Sequence, residues 1–136
     1  MKALFVDTAG WMACADAADP AREAARAARD FALQQNTILV TTDYVVDETL
    51  ALIRMRLGLR AAETWWRQVE ASTRVRWEWI GVPRADRARS LFFHHCDKDF
   101  SFTDCTSFVV MRELKIRQAL TTHPHFRQMG YQVLPG

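Results

Sequence analysis

Hydrophobic positions along the chain fall into short apolar runs that are separated by longer segments with helical spacing. The apolar runs predict buried strands at residues 2–6, 37–41, 117–122 and 131–135. Residues 74–82 begin with strict alternation, with Val75, Trp77 and Trp79 on one face, which is typical of a half-exposed edge strand. Strong helix formers and apolar side chains spaced three and four positions apart predict helices at residues 8–17, 21–35, 43–58, 59–72, 84–95 and 103–114, with a short helical turn at 124–129.

Strands that alternate with helices predict an α/β fold with a parallel sheet covered by helices. In such sheets, ligands bind outside the carboxyl ends of the strands. Polar side chains that directly follow a predicted strand are therefore the first candidates for a functional site.

The composition fits one soluble globular domain over residues 1–136, because 49% of the residues are hydrophobic and 25% are charged. No apolar run approaches the length of a membrane span, and Asp7 interrupts the first one, as no signal peptide would allow. We therefore expect a cytoplasmic protein. The three cysteines, Cys14, Cys96 and Cys105, form no C-x-x-C pair, so we expect buried or half-buried thiols.

The net charge of +2 is too small to identify a nucleic-acid binder. Nearly all the basic residues are arginines, and many lie between Arg54 and Arg89. The planar arginine side chain suits phosphate groups, but scattered arginines exposed to solvent explain the same pattern.

Two carboxylates lie where a ligand site is expected. Asp7 directly follows the first strand, and its simpler role is to cap the next helix. Glu48 has apolar residues around it on its predicted helix, which places it on a buried stripe: Tyr44, Val45, Ala51, Leu52 and Met55. A buried carboxylate needs a partner, and the candidates are a metal ion or an arginine from another element.

A third group of acids lies in the segment DKDFSFTDCTSF, at residues 97–108. Ser101 and Asp104 fit a capping box at a helix start. Asp104 also lies at the top of an inward-facing stripe, and capping does not prevent it from pointing into a cleft. We expect Asp97 and Asp99 to lie on a solvated loop.

Asp7, Glu48 and Asp104 thus come from three elements toward one end of the sheet. Clustered carboxylates repel one another unless a cation is present. Oxygen ligands of this kind suit Mg²⁺ or Mn²⁺, and such ions hydrolyse phosphodiesters by activating water and stabilising the leaving oxygen.

Four segments, LFVDTAGWMA, TTDYVVDETLALI, DKDFSFTDCTSFVVM and ALTTHPHFRQMGYQVLP, together resemble PIN-domain ribonucleases, in particular the VapC-like toxins of toxin–antitoxin pairs. The resemblance implies a five-stranded parallel sheet between helices, with Asp7, Glu48 and Asp104 as metal ligands. It also implies Mg²⁺- or Mn²⁺-dependent cleavage of RNA, a small antitoxin partner and a homodimer. By the same resemblance, Thr8 and Ser101 support the acids through hydrogen bonds.

The chain departs from the family pattern after the fourth strand, where TTHPHF places His123 at the usual position of a fourth acid. His123 then serves as an Mn²⁺ ligand, contacts the scissile phosphate, or marks weakened catalysis; a loop histidine without a role is the remaining interpretation. Asp99 is a candidate substitute carboxylate. We expect His125 to be a surface residue of the short turn.

Tryptophans and apolar side chains near the middle of the chain have two interpretations. Trp65, Trp66, Trp77 and Trp79 suit base stacking, but filling the core or an interface is the more common role. Residues Leu50, Ile53, Leu57 and Leu59, with Trp65 and Trp66, are predicted to form a dimer or antitoxin surface.

The leading functional hypothesis is a metal-dependent endoribonuclease toxin. The alternatives are a catalytically weakened PIN module that binds RNA or a protein, and an RNA-processing nuclease that is not a toxin. Other phosphate-handling folds fit less well, since no P-loop motif is present and DTAGW lacks the second acid of a haloacid-dehalogenase-like site.

Overall fold

The computed structural model describes residues 2–136, and its elements alternate between strands and helices as predicted. The elements are β1 (Ala3–Val6), α1 (Thr8–Ala15), α2 (Arg22–Gln34), β2 (Ile38–Thr42), α3 (Asp43–Leu57), α4 (Leu59–Ala71), β3 (Val75–Glu78), α5 (Gly81–His94), α6 (Phe102–Leu114), β4 (Gln118–Leu120), α7 (His125–Gln128) and β5 (Gln132–Leu134).

The five strands form one parallel sheet in the order β3-β2-β1-β4-β5, which confirms the predicted α/β class and strand number. From the central strand β1, the chain continues to β2 on one side and later returns to β4 on the other. The strand order therefore reverses between β1 and β4. The carboxyl ends of strands at such a reversal form a crevice, where parallel α/β sheets bind their ligands.

The core is built on β1 and α6. Leu4, Phe5 and Val6 are almost completely buried, which accounts for the uninterrupted apolar run of the first strand. On α6, every residue from Cys105 to Met111 is buried. The Phe108 ring meets the edge of Phe126, with ring centroids 5.0 Å apart, so α6 also holds α7 in place.

Helix α1 approaches β4 so closely that only glycine fits at Gly10. A Cβ atom there would lie 2.1 Å from the backbone oxygen of Leu120, a distance that no side chain tolerates. This close approach brings the residues at the start of α1 next to those that follow β4.

The third strand is shorter than predicted. β3 is an edge strand as expected, but it ends at Glu78 rather than Val82, and α5 already begins at Gly81. Ile80 already has a helical backbone conformation, with φ of −69° and ψ of −53°, so the chain has left the strand before Gly81. The alternation consequently reverses, leaving Trp79 67% exposed and Ile80 buried.

Two predictions about side chains are partly wrong. Cys14 and Cys105 are buried, but Cys96 is exposed because it lies in the turn after α5.

In the predicted partner surface, Ile53 and Trp65 are buried, and Trp65 packs edge-on against Trp11 with ring centroids 5.6 Å apart. The apolar side chains exposed at the end of α3 and the start of α4 are Met55, Leu57 and Leu59.

Among residues 2–136, none of the helices combines the length and the apolar character that crossing a membrane requires.

Candidate active site

A cleft of about 480 Å³ opens where the strand order reverses, and all three predicted carboxylates line it. Asp7 follows β1, Glu48 lies on α3, and Asp104 lies in the first turn of α6. The other polar side chains that line the cleft are Thr8, Asp19, Arg56, Ser101, Thr103, Ser107, Thr122, His123 and His125. The fold therefore brings the three acids to one cavity from three separate elements.

Asp7 is the most deeply buried acid of the cleft, at 5% exposure. It is the N-cap of α1, as predicted, and its Oδ1 accepts a hydrogen bond of 2.8 Å from the backbone N–H of Gly10. The pKa of Asp7 is raised to about 7, mainly by burial; the two hydrogen bonds that Asp7 accepts oppose the shift, and the nearby Asp104 and Glu48 charges add to it. The carboxylates thus interact with one another through the cleft.

Thr121, the first residue after the neighbouring strand β4, holds Asp7 in a contact that the sequence did not predict. The Thr121 hydroxyl lies 2.7 Å from Asp7 Oδ2 and also accepts the backbone N–H of His123 at 3.1 Å. Because the hydroxyl accepts from His123, its own hydrogen is available for Asp7. The apolar run at residues 117–122 placed Thr121 inside a predicted strand, so no sequence signal marked it for this role.

Asp104 combines the two roles that the sequence left open. Its backbone N–H donates to the Ser101 hydroxyl at 3.0 Å, and its Oδ2 accepts from the Ser101 backbone N–H at 2.9 Å, which completes a capping box. The same Oδ2 lies 2.7 Å from Nδ1 of His125. Asp104 therefore caps α6 and lines the cleft, and the predicted supporting role of Ser101 fits this geometry.

Glu48 lies in the cleft for a different reason from the one predicted. Its helix does not present a continuous buried stripe there, because Ala51 is exposed and Met55 is 73% exposed. Glu48 itself is half-buried and borders the open cavity. The prediction that Glu48 faces the core is wrong: the apolar neighbours form one wall of a cleft that water reaches.

Of the remaining predicted site residues, Thr8 and His123 line the cleft and Asp99 does not. Among residues 2–136, the Thr8 hydroxyl is buried without a hydrogen-bond partner, so it does not hold an acid as predicted. Asp99 is exposed and does not line the cleft, because its loop turns toward solvent. His123 lines the cleft mouth, whereas His125 is half-buried beside Asp104 rather than on the surface as predicted.

Asp19 is a fourth carboxylate of the cleft that sequence reasoning missed. It lies in the turn between α1 and α2, where its Oδ1 accepts the Ala21 backbone N–H at 2.8 Å. The pair Asp19–Pro20 was interpreted as a helix break alone. Its distance in sequence from the other acids left no pattern to connect it with them.

The donor set of the cleft suits a hard divalent cation. Carboxylate oxygens and the unpartnered Thr8 hydroxyl are the groups that bind such an ion and its water molecules. Within residues 2–136, no three His, Cys, Asp or Glu side chains already form a cluster with the spacing of a metal site. The acids share a cavity, and mutual repulsion opposes any closer approach without a cation.

Comparison with known proteins agrees with this geometry. The PIN domain family model matches residues 4–130. The 23S rRNA-specific endonuclease VapC20 of Mycobacterium tuberculosis is 32% identical over 128 residues, covering 94% of this chain and 95% of the relative.

Among solved structures, VapC20 is again a match. The crystal structure of Mycobacterium tuberculosis VapC20, described as a sarcin–ricin loop cleaving toxin, matches with a TM-score of 0.85 and 31% identity over 94% of this chain and 95% of that one. FitAcB from Neisseria gonorrhoeae matches with a TM-score of 0.64 at 15% identity over 96% of this chain and 95% of that one, which indicates a shared fold. The chain belongs to the PIN domain family and is VapC-like, as its four sequence segments predicted.

Proposed function

We propose that this protein is an Mg²⁺- or Mn²⁺-dependent endoribonuclease that acts as the toxin of a toxin–antitoxin pair. The convergence of Asp7, Glu48 and Asp104 on one cleft at the sheet reversal carries this proposal. Its likeness to an endonuclease over 94% of the chain supports the same reaction class.

Asp7, Glu48 and Asp104 would hold the cation. When bound, the ion supplies an activated water and stabilises the leaving oxygen of the phosphodiester. The chain's own contribution is positioning: Thr121 and the Gly10 N–H fix the Asp7 carboxylate, and Ser101 fixes Asp104. The buried Thr8 hydroxyl has a free hydrogen-bonding capacity in the cleft and serves to orient a water molecule there.

Arg56 is the candidate contact for the RNA backbone. It lines the cleft, is exposed to solvent, and forms no ion pair within residues 2–136. Its planar guanidinium group suits a phosphate on either side of the cleaved bond. Since the similar VapC20 is specific for 23S rRNA, we propose a loop of ribosomal RNA as the substrate class.

The decisive experiment compares two acids on α3 that are neighbours in sequence. Glu48 lines the cleft, whereas Asp47 is exposed and does not. We expect Glu48→Gln to reduce cleavage of 23S rRNA at least about 100-fold in Mn²⁺, because it removes a ligand charge. Asp47→Asn is the matched control and retains wild-type activity. Equal activity of the two variants overturns the proposed function.

The proposed role of Arg56 is tested against Arg54, which is exposed on the same helix and does not line the cleft. We expect Arg56→Ala to raise KM for RNA about tenfold, which corresponds to the loss of one charge-assisted phosphate contact. Arg54→Ala should change KM less than twofold. The assignment of Arg56 fails if both variants have the same KM.

His123 favours a second candidate function, a PIN module that binds RNA or protein without turnover. It stands at the cleft mouth, where the family pattern has a fourth acid, and it carries no negative charge there. If His123→Asp restores cleavage to an inactive parent, the chain is such a module. An active parent excludes this alternative.

The proposed partners are an antitoxin and a second copy of this chain. Met55, Leu57 and Leu59, which flank the cleft-lining Arg56 in sequence, expose apolar surface that a protein partner could cover. Light scattering of the purified protein tests the homodimer, with a mass of one chain as the contrary result.

A further inference from the structure

We propose that His125 is a positioning residue for the metal site: it holds Oδ2 of Asp104 and leaves Oδ1 free for the cation. This inference rests on the proposed function, because it concerns the same cleft. It assigns a role to a residue that the sequence pattern placed on the surface.

The contact is specific to one carboxylate oxygen. Nδ1 of His125 lies 2.7 Å from Oδ2 of Asp104, and the Ser101 backbone N–H reaches the same atom at 2.9 Å. Within residues 2–136, Oδ1 of Asp104 accepts no hydrogen bond. Two donors on Oδ2 fix the rotation of the carboxylate, so a single oxygen remains for a ligand.

The imidazole ring is itself held in place by packing. The edge of His125 meets the Phe100 ring, with centroids 5.6 Å apart and planes at 74°. Phe100 is 6% exposed and packs in turn on Phe108, in the buried face of α6. Contact with Phe100 thus restricts the rotation of the half-buried ring beside Asp104, as expected of a group that orients another.

The tautomer follows from the contact. A carboxylate only accepts hydrogen bonds, so the proton of a neutral imidazole must reside on Nδ1 when that atom faces Asp104. This arrangement needs no charge on the ring. An asparagine amide at the same position places an N–H donor near the site of Nδ1, which provides a conservative replacement.

The segment after β4 holds two of the three acids at once. Thr121 donates to Asp7, and His125, four residues later, holds Asp104. Because Asp7 and Asp104 repel each other, a shared short segment that binds both keeps them at a fixed separation before a cation arrives. Loss of the His125 contact should therefore weaken metal binding rather than the chemistry that follows it.

The experiment measures Mn²⁺ affinity by calorimetry without RNA, in wild type, His125→Ala and His125→Asn. We expect His125→Ala to weaken Mn²⁺ binding about 10- to 100-fold, as loss of a group that orients a ligand typically does. His125→Asn should retain affinity within about threefold of wild type. His94→Ala is the control, since His94 is exposed and lies outside the cleft.

Cleavage assays add a second readout that a structural role would not change. His125→Ala should need a higher Mn²⁺ concentration for half-maximal activity and regain most of the wild-type rate at saturation. Thermal unfolding without metal identifies a variant that fails to fold, in which case His125→Asn alone decides. A 10-fold or greater loss of affinity in His125→Asn, or wild-type affinity in His125→Ala, overturns the inference.

The outcomes separate this inference from the proposed function. If wild type binds Mn²⁺ in a His125-dependent manner but cleaves no RNA, the nuclease function fails and the positioning role stands. If wild type cleaves RNA and His125→Ala binds Mn²⁺ normally, the function stands and the positioning role fails. Absence of Mn²⁺ binding by wild type overturns both.

Discussion

Two charged regions of this molecule are built in opposite ways. In the cleft, Asp7, Glu48 and Asp104 share one cavity, and mutual repulsion raises the pKa of Asp7 beyond the effect of burial. Between β3, α5 and α6, acids and arginines instead alternate in a network. Arg84 binds Glu113 through Nε at 2.8 Å and Glu78 through Nη2 at 3.0 Å, and Arg87 pairs with the same Glu113.

The difference distinguishes a site from a structural network. Partial burial opposes the charge on Arg84, yet its hydrogen bonds to Glu113 and Glu78 raise the Arg84 pKa above its ordinary value. Both acids of this network, Glu78 and Glu113, pair with arginines of the same chain. Within residues 2–136, no arginine or lysine pairs with the three carboxylates of the cleft, so the fold maintains them at a cost in stability that a bound cation would relieve.

The largest expected effect is on RNA cleavage, which a substitution in the cleft should abolish and one in the network should not. Asp7→Asn should reduce RNA cleavage at least about 1,000-fold, since it removes a ligand charge at the most buried position of the cleft. Glu113→Gln, which removes a charge from the network, should leave cleavage within about twofold. Initial rates at saturating Mn²⁺ measure both, and comparable losses in the two variants would contradict the distinction.

The pH dependence of stability also distinguishes the cleft from the network. The pKa of Asp7 is about 7 when folded and 3.8 ordinarily, so between these values the folded protein binds more protons than the unfolded chain. The free energy of unfolding should therefore fall as pH rises from about 4 to about 7, by at most about 4 kcal/mol from Asp7.

Denaturant unfolding at several pH values, with a chelator present, measures this slope. Asp7→Asn should remove the contribution and be more stable than wild type at pH 8. A variant that is less stable than wild type at pH 8 would show that burial of the ionised carboxylate carries no cost.

A substitution in the network should lower the free energy of unfolding, whereas Asp7→Asn should raise it at pH 8, and the change should be smaller. Arg84→Ala leaves Glu78, whose side chain is 11% exposed, without one of its cations, and it removes a hydrogen bond to Glu113. We expect a loss of about 1–2 kcal/mol in the free energy of unfolding, with cleavage unchanged. Chemical denaturation measures the loss; a variant as stable as wild type shows that the network is only a surface feature.

The smallest effect is expected at the exposed pair of Arg89 and Asp86. Their side chains are 60% and 57% exposed, and they lie three residues apart on α5. Arg89→Ala should change the free energy of unfolding by no more than about 0.5 kcal/mol. The same denaturation series provides the value, and a loss as large as that of Arg84→Ala would remove the distinction between half-buried and exposed pairs.

Local sequence signals were sufficient for the order of strands and helices and for the positions of Asp7 and Asp104. The apolar run before Asp7 and the capping box at Ser101 and Asp104 each act within a few residues, so the chain itself displays them. The end of β3 was missed because the alternation of apolar and polar residues runs on past Glu78, whereas the backbone is already helical at Ile80.

The supporting contacts were not predictable in the same way. Thr121 reaches Asp7 across 114 positions of sequence, and His125 reaches Asp104 across 21. Such contacts depend on which strands become neighbours, which no local pattern records. Glu48 shows the converse: its position was right, but an apolar neighbourhood on a helix does not distinguish a core from the wall of a cleft.

The central claim is that Asp7, Glu48 and Asp104 hold a common divalent cation. Calorimetric titration of Mn²⁺ into wild type, Asp7→Asn, Glu48→Gln and Asp104→Asn tests it most directly, with Asp47→Asn as control. We predict binding to wild type and the control, and at least about tenfold weaker binding in each of the other three variants. Wild-type affinity in any one of those three would contradict it.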